Sequence, residues 1–85
     1  MTAEFNQAAE RVKSLKKRPS DGELLELYGL FKQATTGDVS GDKPGLFDLK
    51  GRKKYEAWAK LKGTAPEQAA AGYVKLVDSL AKKLG

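Results

Sequence analysis

Apolar residues near the start of the chain return every third or fourth position, at Phe5, Ala8, Ala9, Val12 and Leu15. That spacing makes one face of a helix. Thr2 as N-cap and Pro19 as terminator bound it to about residues 3–16. Ser20-Asp21-Gly22-Glu23 has the pattern of a capping box and opens a second helix, which runs to about Thr35. Residues 36–49 lose the periodicity and hold Gly37, Gly41, Pro44 and Gly45, which predicts an unusually long loop. A third helix is predicted over about residues 50–61, closed by Lys62-Gly63. Thr64-Ala65-Pro66-Glu67 reads as a second capping box. The fourth helix then continues to about Lys83, with Ala69, Tyr73, Leu76, Val77, Leu80 and Leu84 on one face. The pattern predicts an all-α fold: a four-helix bundle with one long crossover loop, formed by residues 1–85 as one domain.

Composition agrees. Of the 85 residues, 11 are Ala and 11 are Leu, whereas Ile is absent and Val occurs four times, so the residues that favour a pleated sheet are scarce. Cys and His are both absent. That excludes disulfides, thiolate nucleophiles, the usual zinc sites and His-dependent triads. A small secreted domain usually carries disulfides, and no apolar run reaches membrane-spanning length, so the expected setting is cytoplasmic, without stable membrane insertion. The net charge of +5 is uneven: residues 1–43 hold seven Lys/Arg and seven Asp/Glu, residues 44–85 nine and four. A basic excess confined to one half points to an anionic partner, such as nucleic acid, phospholipid or a phosphorylated small molecule.

Three places invite a chemical reading. In the loop, Asp38, Ser40 and Asp42 match the first ligand positions of an EF-hand, but Lys43 occupies the obligatory Gly position and Leu49 that of the bidentate Glu. Gly37 and Gly41-Asp42-Lys43-Pro44 echo a P-loop, with the wrong spacing and no preceding strand. Both read as turn residues. In the second helix, Leu24, Leu25, Leu27, Tyr28, Leu30, Phe31 and Ala34 span roughly 220° at roughly 100° per residue. A helix packed on one side needs a stripe only a little over ~100° wide. The surplus, which includes Lys32, fits either the most buried helix of the bundle or one wall of a ligand groove. In the third helix, Lys50 and Lys54 extend the line of Ala57 and Leu61. They read as snorkelling rim lysines, as a phosphate site at a helix start, or, with Gly51, Arg52 and Lys53, as a short nucleic-acid or nuclear-localisation patch.

The series Tyr28-Gly29-Leu30-Phe31-Lys32-Gln33-Ala34-Thr35-Thr36-Gly37-Asp38 is followed by Pro44-Gly45, Asp48-Leu49-Lys50, Lys54, Ala57-Trp58 and Lys62-Gly63-Thr64. In this order it resembles the acyl-CoA-binding protein family, over the whole chain from Phe5 and Ala8-Ala9 to Tyr73-Val74. The resemblance implies an antiparallel four-helix fold that binds medium- and long-chain fatty acyl-CoA in the cytosol, as a carrier and pool-former, with no catalysis and no cofactor. It implies that Tyr28, Lys32 and Lys54 hold the ribose 3′-phosphate. Phe31 lies against the adenine, with Lys13 and the backbone near Ala9 on its other side. Lys50 faces the phosphate and pantetheine part, Tyr73 lines the site, and Leu24 and Leu25 meet the acyl chain. A monomer is expected, with the acyl-CoA as partner and no nucleic acid.

The sequence departs from the family pattern at three positions. Phe31 stands where Tyr is usual, which keeps a stacking face and removes a hydroxyl. Tyr55 replaces a common second Trp, and Leu24 a frequent Met. Two other function classes fit less well. A nucleic-acid-binding helix face wants several exposed Arg, but only Arg11, Arg18 and Arg52 occur, on scattered elements. A thioesterase without His or Cys needs an activated Ser, and no elbow motif surrounds Ser14, Ser20, Ser40 or Ser79.

Overall fold

Helix α1 (Ala3–Arg11) opens where the Thr2 hydroxyl accepts the Phe5 N–H, and its end tightens into a single 3-10 turn at Val12–Ser14. The computed structural model describes residues 2–85. The α-helix stops earlier than the apolar spacing predicts because Leu15 turns extended (φ −63°, ψ 139°). The chain then leads to Lys17, whose N–H donates to the Leu84 carbonyl at 3.2 Å, and to buried Pro19. Val12 and Leu15 still pack on the core, so the predicted face survives in a tighter winding.

Helix α2 (Asp21–Thr35) has the predicted capping box: the Glu23 N–H donates to Ser20 Oγ at 3.2 Å and the Ser20 N–H to Glu23 Oε1 at 2.8 Å. It ends at Gly37, whose φ of +95° belongs to the left-handed region that closes helices. Helix α3 (Leu49–Ala59) is capped by Asp48, which accepts the Gly51 N–H at 3.0 Å. Leu49, predicted as the last loop residue, is therefore its first residue.

Helix α4 (Pro66–Leu84) corrects one expectation. The capping box at Thr64 does not form; Ala65 is the N-cap and has no side-chain bond to give. Proline disfavours helical backbone in the residue before it, so Ala65 is extended (φ −62°, ψ 141°) and Pro66 becomes the first helical residue.

Contacts along the helices set their directions. Lys83 meets Glu23 at 3.1 Å and Gln33 Nε2 donates to the Thr64 carbonyl at 2.8 Å, so α2 and α4 are antiparallel. Gly29 faces Ala57 and Trp58, while Leu24 shares a groove with Lys50, so α2 and α3 run parallel. The long loop is what a parallel pair requires. Phe5 meets Tyr73 and Arg11 meets Asp78, so α1 and α4 are parallel too. The order across the molecule is α3, α2, α4, α1, in a flattened body of 36 × 26 × 15 Å.

The core lies between α1, α2 and α4 and consists of Phe5, Ala8, Leu27, Ala34, Ala69, Ala70, Tyr73, Val77 and Leu80. Among the helices, α3 packs on α2 alone. A Cβ at Gly29 would sit 2.6 Å from the Ala57 carbonyl oxygen, so only glycine lets the backbones approach this closely. Polar bonds then fasten α3 and the segments around it. Trp58 Nε1 donates to the Gly37 carbonyl at 2.7 Å, Tyr55 to the Gly41 carbonyl at 3.1 Å, and Lys43 pairs with Glu56 at 2.9 Å. Behind them Asp38 Oδ1 accepts the Gly63 N–H and Gln33 Nε2, both at 2.8 Å. Gln33 itself is fully buried.

Two predictions follow from these fastenings. Gly29→Ala gains about 1 kcal/mol of helix propensity but meets a backbone that must move, and overpacking of this kind costs about 1–3 kcal/mol. Urea unfolding should show a net loss, whereas a midpoint at or above wild type would contradict the close approach. The Gly63 N–H, then Gln33, hold the Asp38 carboxyl below its ordinary value. The Ser20 N–H and Lys83 do the same for Glu23. A lowered carboxyl contributes stability that is complete above its unfolded pKa and disappears as pH falls through its folded pKa. Stability should thus be level from neutrality to about pH 5 and fall below the ordinary carboxylate range near pH ~4. The difference between wild type and Asp38→Asn should be largest above that range and shrink with acidification; melts at a series of pH values measure it.

Candidate ligand-binding site

Leu24, Leu25 and Tyr28 of α2, Leu49, Lys50, Lys53 and Lys54 of α3, and Arg18 and Asp21 beside them line an open groove of about 580 Å³. Its origin is the width of the α2 apolar sector. Leu27 and Ala34 go into the core, with Leu30 packed against it, which leaves Leu25 and Tyr28 half-buried toward α3. The surplus sector has a use on each side: α2 lies between α4 and α3, sharing the inner position with α4 rather than being the most buried helix, and its remaining flank is a groove wall.

The opposite wall is basic. Lys50, Lys53 and Lys54 fall within little more than one turn of α3. Among the described residues these three and Lys32 have no carboxylate partner, whereas Arg18 is paired with Asp21 at 3.1 Å. Two of the four lie on aromatic faces. Lys54 Nζ is 5.4 Å from the centre of the Tyr28 ring, and Lys32 Nζ is 4.9 Å from that of Trp58. Tyr28 and Lys32 are four apart on α2, as are Lys54 and Trp58 on α3, so the parallel pair makes two rungs of aromatic against cation. These contacts hold the ammonium groups in place while leaving their charge uncancelled.

The structure gathers five of the residues singled out from the sequence, Leu24, Leu25, Tyr28, Lys50 and Lys54, in this one groove. Lys32 lies at the next rung of the seam. The other four lie elsewhere. Phe31 is 38% exposed and forms an aromatic cluster with Phe5 at 5.5 Å and Tyr73 at 5.8 Å between ring centres. Tyr73 is buried there, and desolvation raises its phenol pKa above the ordinary value. Ala9 packs half-buried against the core, and Lys13 pairs with Glu10 at 3.4 Å on the exposed side of α1. Arg18, Asp21, Leu49 and Lys53 line the groove without having been selected. Lys53 was legible only as part of a basic run, and Leu49 was hidden by its assignment to the loop. Among the described residues no cluster of acidic side chains is suited to hold a metal ion, and no helix is long and apolar enough to cross a membrane.

A groove with a leucine strip on one side and uncancelled ammonium groups on the other suits an amphiphile with an anionic head. The family model of the acyl-CoA-binding protein matches residues 2–77. The chain belongs to the acyl-CoA-binding protein family. An acyl-CoA-binding protein homolog of Drosophila melanogaster is 55% identical over 83 residues, covering 98% of this chain and 96% of the relative. Acyl-CoA-binding protein homolog 1 of Caenorhabditis elegans is 54% identical over 85 residues, covering 100% and 99%. The crystal structure of the family member from Moniliophthora perniciosa superposes with a TM-score of 0.90 at 42% identity, covering 99% of this chain and 84% of that one. The all-α four-helix architecture is thus that of the family, whose members are binding proteins and not enzymes.

Proposed function

We propose that residues 1–85 act as a single acyl-CoA-binding domain that takes medium- and long-chain fatty acyl-CoA into the α2–α3 groove, and that the protein works as a monomeric cytoplasmic carrier and pool-former. The observation that carries this reading is the pairing in one groove of Leu24, Leu25 and Leu49 with the unpaired Lys50, Lys53 and Lys54. The thioester supplies both complements. Its alkyl chain leaves water against the leucines, at up to ~0.8 kcal/mol per buried methylene. Its phosphates accept charge-assisted hydrogen bonds from ammonium groups.

In this reading Tyr28, Lys32 and Lys54 hold the ribose 3′-phosphate, with the two aromatic rungs restricting the lysines before the ligand arrives. Lys50 faces the diphosphate and pantetheine, and Leu24 and Leu25 meet the chain. Phe31 offers its exposed part to the adenine, since Phe5 already occupies one side of the ring. Lys13 and the Ala9 backbone complete that end from α1. Tyr73 contributes at second hand, by holding Phe31 from the core.

Lys54→Ala or Lys32→Ala should weaken palmitoyl-CoA binding by about 1.5–3 kcal/mol, the range for a hydrogen bond to a charged group. Helicity should be nearly unchanged, and dephospho-palmitoyl-CoA should lose less than palmitoyl-CoA does. Equal, unaltered affinity of both variants for both ligands would remove the phosphate clamp.

Calorimetric titration of palmitoyl-CoA, acetyl-CoA, CoA and palmitate tests the whole reading. Palmitoyl-CoA should bind far more tightly than acetyl-CoA or CoA, with no loss of thioester, and palmitate should bind poorly because it lacks the head group. Equal affinity for CoA and palmitoyl-CoA, or tight palmitate binding, is the result that sinks it.

A further inference from the structure

The turn that leads into α3 is apolar where turns are usually polar. The Asp48 N–H donates to the Gly45 carbonyl at 3.1 Å, which places Leu46 and Phe47 at the tip. Gly, Pro, Asn, Asp and Ser normally occupy such positions. Here Leu46 is 73% exposed, Phe47 is fully exposed, and Leu49 just beyond is 67% exposed. Leu46 and Phe47 neither join the core nor line the groove. Their apolar surface is thus unused by folding and by the proposed ligand.

Charge surrounds this tip. Residues 43–54 hold five Lys/Arg and one Asp. The Asp is Asp48, occupied as the cap of α3, and Lys43 is paired with Glu56. Lys50, Lys53 and Lys54 are left unpaired on the first turns behind the tip. A second copy of this chain would set this basic segment against another like it. An anionic lipid surface complements both features, taking an exposed aromatic and aliphatic pair at its interface and attracting lysines to its head groups.

We propose that the Gly45–Asp48 turn docks the protein onto anionic bilayers, with Leu46 and Phe47 entering the interface and the α3 lysines lying over the head groups. Leu49 belongs to both the tip and the groove, so docking would set the groove mouth at the membrane surface.

The test uses the full chain without acyl-CoA, and so is independent of the proposed function. The protein should co-sediment with mixed phosphatidylserine–phosphatidylcholine vesicles and not with phosphatidylcholine alone, and salt should reduce binding. The double variant Leu46→Ser/Phe47→Ser alters two exposed side chains and leaves the Asp48 cap intact. It should partition at least ~10-fold more weakly, with unchanged helicity and unchanged palmitoyl-CoA titration. Phe47→Trp gives a second readout, an emission shift to the blue on adding the anionic vesicles.

No vesicle binding by wild type, equal binding to neutral vesicles, or equal binding by the double variant would overturn the proposal. So would an unshifted Phe47→Trp emission. A parallel loss of palmitoyl-CoA affinity in the double variant would assign the tip to the ligand groove instead. Concentration-dependent dimers of wild type that the double variant abolishes, without vesicle binding, would assign it to a second copy.

Discussion

The approach of α2 to α3 at Gly29 fixes the geometry on which the groove depends. Because α3 packs against no other helix, its distance and rotation are set along this one seam. The Ala57 carbonyl occupies the space where a side chain on residue 29 would lie. This brings the flanking side chains within reach: Tyr28 under Lys54 on one rung, Lys32 over Trp58 on the other. Cation–aromatic contacts act only within about 6 Å of the ring centre. An outward shift of α3 by an ångström or two would therefore weaken both rungs and widen the groove.

Stability and site occupy different parts of the fold. The apolar core joins α1, α2 and α4, and α3 contributes no residue to it. What holds α3, besides buried Trp58, is largely polar and comes from the loops at its two ends. Gly37 and Gly41 offer carbonyls to Trp58 and Tyr55, Lys43 reaches Glu56, and Asp38 ties the turn at Gly63 back to Gln33. Apart from the short Gln33–Asp38 link, each of these bonds spans 13 or more residues, so each forms only once the loop has found its course. Segments with few buried apolar contacts lie at the low-stability end of a domain, and here that segment carries half of the site.

The sequence reveals the parts of this arrangement that are local. Ser20 and Glu23 announce the start of α2, the three- and four-residue spacing identifies the core faces of α1 and α4, and the excess width of the α2 sector marks a flank with another use. Where the outcome depends on a neighbour, the local signal misleads. Pro66 overrides the Thr64 box through the backbone of Ala65, and α1 gives up its last α-helical turn as the chain is drawn to the Leu84 carbonyl. The basic run at residues 50–54 does not disclose which lysines are unpaired, because that depends on Glu56 being taken by Lys43 and Asp21 by Arg18. The Gln33–Asp38 hub leaves no periodic trace, since a buried glutamine is meaningful only with the carboxylate and carbonyl it meets.

The location of the site at a seam outside the apolar core links ligand to fold. Lys50, Lys53 and Lys54 share one short stretch of helix without compensating carboxylates. Their mutual repulsion opposes the helical winding of this stretch of α3, and solvent and salt screen it only in part. An anionic head group seated among them reverses the sign of that contribution. Under the proposed function the chain of the same ligand lies against Leu24 and Leu25 on α2 and Leu49 on α3, so a single molecule draws the two helices together from both ends of its polarity. Whatever binds only the closed seam stabilises it by mass action. The gain falls on α3, which adds no residue to the apolar core, and hardly on the three-helix core itself.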